Sequence, residues 1–313
     1  MNLLITGLHG FVGSNLVSTL KENHKIYGLD IVFPEKEGVV KTFSWNELDK
    51  IPETDVIIHL AGKAHDTKNQ SETQVYFDIN LGLTQKIFDY FLQSKAKKFI
   101  FFSSVKAAAD SVEGDILTED VIPKPVGPYG ESKIAAEKYI QSKDWKDKKV
   151  YILRPCMIHG PGNKGNLNLL YNVVSKGIPW PLGAFENLRS FMNIENLSYI
   201  IEQFIIKNPP SDIYHLADDE PLSTNKLIRL IAESKNRKPK IWKINKSLIF
   251  FIAQIGGVLH LPLNPERLRK LTENYIVSNQ KLKKAIGVEK LPVNAIDGME
   301  RTLAYFSSKK NYN

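Results

Sequence analysis

Short apolar runs alternate with amphipathic stretches through the first half of this 313-residue chain. The runs are continuous in apolar character, as is typical of strands covered on both faces of a parallel sheet. Strands that alternate with helices predict βαβ units, and therefore an α/β fold built on a doubly wound parallel sheet. The predicted strands are Leu3–Thr6, Lys25–Leu29, Val56–Leu60, Lys98–Phe102 and Val150–Leu153. The predicted helices include Gly13–Glu22, Asn80–Gln93 and Ser132–Ser142.

The pattern changes after Arg154, where the turn-rich segment HGPGNKGN leads into a mainly helical region. We interpret this region as a smaller C-terminal domain. Two later segments, SFMNI and IYHLA, are expected to rejoin the large sheet as strands. The predicted division is a first domain over 1–159, with later returns near 190–217, and a second domain over 160–189 and 218–313.

Charge and cysteine content narrow the function only slightly. The formal net charge is +8, from 42 Lys and Arg against 34 Asp and Glu. No nucleic-acid motif accompanies these charges, so we expect a solvated lysine-rich surface and no nucleic-acid partner. A basic balance also suits an anionic small-molecule substrate. The single cysteine, Cys156, excludes an internal disulfide, and the first residues do not resemble a signal peptide, so a cytoplasmic location is expected.

The most apolar stretch of the chain runs from Ser247 to Leu263. Gln254, the pair Gly256 and Gly257, and His260 interrupt it, and the uninterrupted part is too short to cross a bilayer. No transmembrane segment is therefore predicted. A buried or peripheral helix is the favoured interpretation, and docking on a membrane surface is the alternative.

Three glycines follow the first predicted strand in the sequence LLITGLHGFVGSNL. A strand, a glycine-rich turn and a helix together form an anion site: Gly7 permits the turn, Gly10 allows close approach of a diphosphate, and Gly13 lets the helix pack on the strand. Asp30 ends the next strand, where a carboxylate accepts hydrogen bonds from ribose hydroxyls. Because an acid at this position repels a 2′-phosphate, the pattern favours NAD over NADP.

A second group of residues carries acid–base chemistry. Tyr129 and Lys133 lie four residues apart in PYGESK, so a helix would place both on one face. The nearby ammonium is expected to lower the pKa of the phenol and make Tyr129 a general acid–base. Ser103 and Ser104 end a predicted strand, where a hydroxyl either binds a substrate oxygen or caps the next turn.

The order of these motifs resembles the extended short-chain dehydrogenases/reductases, and within them the NAD-dependent epimerase/dehydratase family. The resemblance covers essentially the whole chain and implies a Rossmann domain, a nucleotide-sugar domain and an active site between them. It implies that Ser104, Tyr129 and Lys133 are catalytic, and that Tyr129 and Lys133 also contact the cofactor, NAD. The other cofactor-binding residues that it implies are Gly7, Gly10, Phe11, Val12, Gly13, Asp30, Leu60, Ala61 and Gly62.

Three departures from the family pattern bear on the reaction. Dehydratases of this family carry Asp-Glu directly after the catalytic hydroxyl residue, whereas this chain has Val105 and Lys106. A 4,6-dehydration is therefore not expected. Ser44 stands where many members have an aspartate that contacts adenine, so this contact is left open. AAA replaces the usual valine-tyrosine-glycine.

Finer similarities, such as HLAGKAHD and GPGNKGNLNLL, resemble bacterial C4-reductases of 4-keto-6-deoxy sugar nucleotides, which act in polysaccharide precursor synthesis. A UDP-sugar 4-epimerase is the alternative, and a non-catalytic cofactor-binding scaffold is a third. The expected partner is a nucleotide sugar, with UDP as the default nucleotide. No metal-ligand spacing is present, and a homodimer is compatible with the resemblance. The residues expected to bind the nucleotide sugar are Lys63, His65, Asn166 and Arg189.

Overall fold

A computed structural model describes residues 1–63, 72–163, 165–259, 261 and 263–309 of the chain. Within these residues, seven strands form one central sheet in which all neighbouring strands are parallel. The strands are β1 (Asn2–Thr6), β2 (Lys25–Leu29), β3 (Val39–Phe43), β4 (Val56–His59), β5 (Lys98–Phe102), β6 (Lys149–Pro155) and, later in the chain, β10 (Asp212–Leu216).

The strands lie in the order β10-β6-β5-β4-β1-β2-β3. The order reverses direction between β1 and β4, which makes the sheet doubly wound, as predicted. In such sheets ligands bind beyond the carboxyl ends of the strands at this switch point. The turns after β1 and β4 therefore mark the expected position of a cofactor.

Helices cover the sheet and build the remainder of the molecule. A π-helical stretch, Asp78–Gly82, joins α2 to α3, and Leu48–Lys50 forms a single 3-10 turn. The α-helices are α1 (Phe11–Leu20), α2 (Thr73–Phe77), α3 (Leu83–Gln93), α4 (Val105–Ala108), α5 (Gly127–Gln141), α6 (Asn166–Ser175), α7 (Ile194–Ile206), α8 (Thr224–Glu233), α9 (Lys246–Val258), α10 (Pro265–Thr272), α11 (Gln280–Ile286) and α12 (Ala295–Lys309). Among the described residues, none of these helices is both long and apolar enough to pass through a bilayer.

Two small sheets accompany the large one. β7 (Met157–His159) pairs in parallel with β9 (Phe191–Asn193), and β8 (Leu188–Arg189) pairs antiparallel with β11 (Leu222–Ser223). IYHLA forms most of β10 and joins the large sheet, as predicted. The same expectation for SFMNI was wrong: its strand, β9, pairs with β7 in a separate two-stranded sheet, whereas β10 pairs with β6 in the large sheet.

Alternate strand residues point into two separate apolar clusters, one on each face of the sheet. Leu3 and Ile5 lie in one cluster, whereas Leu4 lies in the other. The first cluster also takes in residues from late in the chain, such as Tyr275 and Leu282. Two further clusters lie in the C-terminal half, one of them among α6, α8 and α12. The domain boundaries given above stay a prediction.

Candidate active site

The turn after β1 has the backbone conformation and close packing that the glycine pattern predicts. Gly7 has a φ of 67°, in the left-handed region, and its N–H donates to the carbonyl oxygen of Leu29 at 2.9 Å. A Cβ on Gly13 would lie 2.5 Å from Leu8 Cα, so only glycine lets α1 pack this closely on the turn. Gly10 precedes α1, and no side chain caps the helix start. The first N–H groups of α1, beginning at Phe11 and Val12, therefore suit the diphosphate of NAD.

Asp30 follows β2 and is buried. Its carboxylate accepts hydrogen bonds from the backbone N–H of His9 at 3.1 Å and of Ile31 at 2.7 Å. The first of these bonds fixes the carboxylate against the turn after β1, where the ribose of a dinucleotide would lie. Lys36 also reaches this end of α1, because its ammonium donates to Ser14 Oγ at 2.9 Å. The separation of Lys36 from Asp30 in the sequence did not predict this contact with Ser14.

The hydroxyl of Thr6 ties the end of β1 to the segment after β4. Its oxygen accepts hydrogen bonds from the N–H groups of Leu60, at 3.1 Å, and of Ala61, at 2.9 Å. Its proton is therefore directed at His59 Nδ1, 2.7 Å away, and the opposite ring nitrogen donates to Thr84 Oγ1 at 3.0 Å. Burial lowers the pKa of His59 to about 3, so the ring is neutral. This network positions the backbone predicted to line the cofactor.

Asn80 is a buried residue that holds the segment after β4 next to α5. Its Oδ1 accepts from the N–H of Lys63 at 2.8 Å, and its Nδ2 donates to the Lys63 carbonyl oxygen at 3.2 Å. The same amide donates to Ser132 Oγ at 2.9 Å, and Ser132 in turn donates to the carbonyl oxygen of Tyr129. From the sequence, Asn80 was predicted only to begin a helix, and no role in the site was assigned to it.

Lys133 is buried one helical turn beyond Tyr129 on α5. Its ammonium donates to the carbonyl oxygen of Phe102 at 2.8 Å. A Cβ on Gly62 would lie 3.2 Å from Lys133 Nζ, so the glycine keeps the approach to the amine open. Burial lowers the pKa of Lys133 to about 8, while Glu137 acts in the opposite direction.

Tyr129 lies near Ser104 and Tyr76. The pKa of Tyr129 is raised above 10, because burial disfavours the phenolate; a hydrogen bond with the Ser104 side chain opposes this shift. The predicted lowering of this pKa by Lys133 was therefore wrong for this arrangement, in which the ammonium is bonded to the carbonyl oxygen of Phe102. The ring of Tyr76 meets that of Tyr129 edge-on, at a centroid distance of 6.5 Å.

The two serines after β5 point to different partners. Ser104 Oγ caps α4 by accepting from the N–H of Lys106 at 3.2 Å, and the same side chain bonds to Tyr129. Ser103 instead bonds to the buried carboxylate of Glu137. Glu137 also forms a buried ion pair with Arg154, at 2.6 Å. Ser103 therefore belongs to a buried polar network with Glu137 and Arg154, whereas Ser104 contacts Tyr129 itself.

The predicted substrate residues differ in how the structure places them. Lys63 Nζ lies 5.5 Å from the centre of the Tyr76 ring, which is itself packed on Tyr129. Asn166 is exposed at the start of α6, so the structure does not link it closely to the catalytic group. His65 lies outside the described residues.

Arg189 lies near the helix that follows Ser104. Its guanidinium donates to the carbonyl oxygen of Lys270 at 2.5 Å, and burial lowers its pKa. Burial also lowers the pKa of Lys106, and the charge of Arg189 contributes to this shift. Lys106 forms a 3.1 Å ion pair with Asp110. Lys106 and Arg189 therefore lie close to each other beside α4. Only Arg189 was predicted from the sequence to bind substrate.

Solved structures with the same fold include MoeE5 in complex with UDP-glucuronic acid and NAD. It is 18% identical to this chain, covers 99% of this chain and 100% of its own, and superposes with a TM-score of 0.76. At this identity the likeness shows the fold alone.

Among curated relatives, the UDP-glucose 4-epimerase of Vibrio cholerae is 33% identical over 74% of this chain and 75% of its own length. An Escherichia coli O157:H7 enzyme, N-acetyl-alpha-D-glucosaminyl-diphospho-ditrans,octacis-undecaprenol 4-epimerase, is 26% identical over 97% of this chain and 95% of its own. The GDP-6-deoxy-D-mannose reductase of Pseudomonas aeruginosa is 24% identical over 74% of this chain and 79% of its own length.

The sheet order, the glycine turn with Asp30, and the group formed by Ser104, Tyr129 and Lys133 all agree with one family of cofactor-dependent enzymes. The model of that family matches residues 3–217, more than half of the chain. The chain therefore belongs to the NAD dependent epimerase/dehydratase family and is an NAD-dependent enzyme.

Proposed function

We propose that this enzyme is a C4-reductase of a UDP-4-keto-6-deoxy sugar and acts in polysaccharide precursor synthesis. NADH, when bound, supplies a hydride to C4 of the sugar. Tyr129 donates a proton to the C4 oxygen, and Ser104 holds that oxygen by a hydrogen bond. A ketone, one hydride and one proton together give the alcohol, so the step is balanced. Gly7, Gly10 and Gly13 would hold the cofactor diphosphate, and Lys133 would contact the cofactor.

The observation that carries the proposal is the contact between Ser104 and Tyr129, whose side chains share a hydrogen bond. Two adjacent hydroxyl groups can hold a ketone oxygen and protonate it. An epimerase could use the same pair, and the stretches HLAGKAHD and GPGNKGNLNLL, which resemble C4-reductases, favour the reductase.

The residues after Ser104 support reduction over dehydration. Loss of water across C5 and C6 needs a base and an acid next to the sugar. Val105 has no ionisable group, and Lys106 is engaged with Asp110 at 3.1 Å. The basic side chains of Lys106 and Arg189 instead suit an anionic substrate such as a nucleoside diphosphate sugar.

A UDP-sugar 4-epimerase is the second candidate, favoured by the Vibrio cholerae relative described above. It would use the same Ser104, Tyr129 and Lys133 set. The two reactions differ in how long the cofactor stays bound. A reductase releases NAD at each turnover, whereas an epimerase keeps it bound. Location in the cytoplasm, where NADH is available, and assembly as a homodimer are further parts of the proposal. Fractionation and analytical ultracentrifugation test these two points.

Product analysis with two substrates tests the proposed reaction. We expect NADH consumption with a UDP-4-keto-6-deoxy sugar, and no reaction of a UDP-hexose without added reductant. Interconversion of the UDP-hexose at C4 without net change in NADH would replace the reductase by the epimerase.

Tyr129→Phe should lower turnover roughly 100- to 10,000-fold while NADH still binds, since general acid catalysis is worth that much. Tyr139→Phe, further along α5 and bonded to Asp89, is the matched control.

A further inference from the structure

The helix α9 is apolar on two opposite faces. One face is buried against the body of the protein through Ile249, Ala253 and Gly256. Gly256 packs especially closely, since a Cβ there would lie 1.9 Å from the carbonyl oxygen of Leu263. The apolar residues that share this cluster include Phe185 and Leu268, the latter from α10. These contacts anchor α9 and leave its opposite face outward.

The outward face forms a continuous stripe at helical spacing, which we call the α9 stripe. Its side chains are exposed to between 41% and 78%. No element of the described part of the chain covers them. A helix that is apolar all round is normally buried, and an exposed apolar patch of this kind marks a protein or membrane interaction site. The α9 stripe consists of Leu248, Phe251, Ile252, Ile255, Val258 and Leu259.

Basic residues flank α9 on both sides along the chain. Between residues 238 and 271 there are seven Lys and Arg and one acid, Glu266. All seven basic residues are exposed. They precede α9 or lie on α10, which packs against it. The basic residues are Lys238, Lys240, Lys243, Lys246, Arg267, Arg269 and Lys270.

We propose that the α9 stripe docks the protein on the surface of a bilayer containing anionic phospholipids. An apolar helical face enters the boundary between headgroups and acyl chains, while nearby Lys and Arg are attracted to anionic headgroups. A 13-residue helix is about 20 Å long, too short for a hydrocarbon core of about 30 Å. The helix therefore lies on the membrane and does not cross it.

Charge also distinguishes the bilayer from a second copy of this chain. In a two-fold symmetric dimer, the same face of each protomer meets its partner. The four lysines before and at the start of α9 would then oppose those of the partner and repel them, whereas Arg269 and Lys270 form ion pairs with Glu273 and Glu266. Anionic headgroups provide the complementary charge, so the lipid surface is the occupant that these residues favour. This inference does not depend on the proposed reaction, because it involves no residue of the catalytic group.

Co-sedimentation of the full chain with vesicles tests the proposal. One set of vesicles contains phosphatidylcholine alone, and the other contains phosphatidylcholine with phosphatidylglycerol. We expect binding to the second set, weakening as the salt concentration rises. Exchange of Lys243 and Lys246 for glutamine should weaken binding about fivefold for each lysine, which corresponds to about 1 kcal/mol per charge.

A double variant separates insertion of the stripe from charge attraction alone. Phe251→Gln with Ile255→Gln should weaken vesicle binding by roughly 100-fold, since burying each of these side chains contributes about tenfold or more. Both side chains are exposed, so the fold and NADH binding should survive. Ile122→Gln with Ile206→Gln removes two exposed apolar side chains elsewhere and serves as the control; it should bind vesicles normally.

Two outcomes would overturn the proposal. The first is failure of the wild-type chain to sediment with anionic vesicles. The second is equal vesicle binding by the wild type and the Phe251 and Ile255 double variant. After the first outcome, analytical ultracentrifugation compares the wild type with the Phe251 and Ile255 double variant. If the wild type is a dimer and the variant a monomer, the α9 stripe contacts a second copy of the chain and not a bilayer.

Discussion

The ammonium of Lys133 donates a 2.8 Å hydrogen bond to the carbonyl oxygen of Phe102, the last residue of β5. The bond joins α5 to the strand that leads into Ser104. It therefore holds together the two elements that carry the side chains proposed to react. Lys133 is thereby held in a buried position, where desolvation lowers its pKa to about 8.

Substitution Lys133→Met removes this link and the positive charge. We expect turnover to fall by about 100-fold or more, the scale of losing a general acid–base contribution, and the Michaelis constant for NADH to rise. Steady-state kinetics with varied NADH measure both effects. Lys138→Met changes an exposed lysine on the same helix and should leave both parameters unchanged. Normal kinetics for the Lys133 variant would contradict its assigned role.

Asp30→Ala should change the preference between the two nicotinamide cofactors. The variant loses a charged hydrogen-bond acceptor for the ribose and a charge that repels a 2′-phosphate. We expect NADH binding to weaken relative to NADPH binding by roughly 10- to 100-fold, from about 1.5–3 kcal/mol for a charged hydrogen bond. Fluorescence titration with both cofactors measures the ratio, and Asp49→Ala, at an exposed position, is the control. Tighter binding of NADPH to the wild type would contradict the NAD assignment.

Gly13→Ala tests whether the first turn depends on close packing. The added Cβ would lie 2.5 Å from Leu8 Cα and 2.6 Å from the Gly7 carbonyl oxygen, so backbone must shift. We expect a loss of about 1–3 kcal/mol in the free energy of unfolding, together with weaker NADH binding.

The matched control for Gly13→Ala is Gly82→Ala, because the nearest atom to a Cβ there is 4.0 Å away. That change should be neutral or stabilise the protein by about 0.5–1 kcal/mol, since alanine favours helix more than glycine does. Urea unfolding and NADH titration compare the two variants. Equal effects would show that the turn tolerates a side chain.

The buried ring of His59 should make stability depend on pH. Its pKa is lowered to about 3 in the folded protein, whereas an unfolded chain binds the proton near pH 6.5. The stability that the neutral ring contributes is present above pH 6.5 and is lost as the pH falls towards 3. Between pH 7 and pH 5 this residue alone should cost about 2 kcal/mol in the free energy of unfolding.

Urea unfolding at pH 7 and pH 5 checks this expectation in the wild type and in His59→Gln. The variant should be less stable at pH 7, because its contacts with Thr6 and Thr84 are altered. It should lose less stability between pH 7 and pH 5, because it lacks the buried ring that gains a proton on unfolding. The other ionisable groups are the same in both proteins. Identical pH dependence in the two proteins would show that His59 does not cause it.

The sequence by itself determined the features that depend on a few neighbouring residues. Apolar runs identified the strands around residues 2–6, 25–29 and 98–102, because burial on both faces of a sheet leaves a local signature. The glycine spacing predicted the turn at Gly7, since its left-handed backbone conformation is a local property. The four-residue separation of Tyr129 and Lys133 likewise placed both on one helix.

Tertiary structure alone decided which distant groups meet and how burial shifts their proton affinities. Phe102 and Lys133 are far apart in sequence, as are Lys106 and Arg189, and no local pattern encodes these pairings. The pKa of Tyr129 moved in the direction opposite to the prediction, because desolvation depends on every group packed around the phenol. β9 pairs with β7 and β10 pairs with β6, and no local pattern in SFMNI or IYHLA distinguishes these two partners.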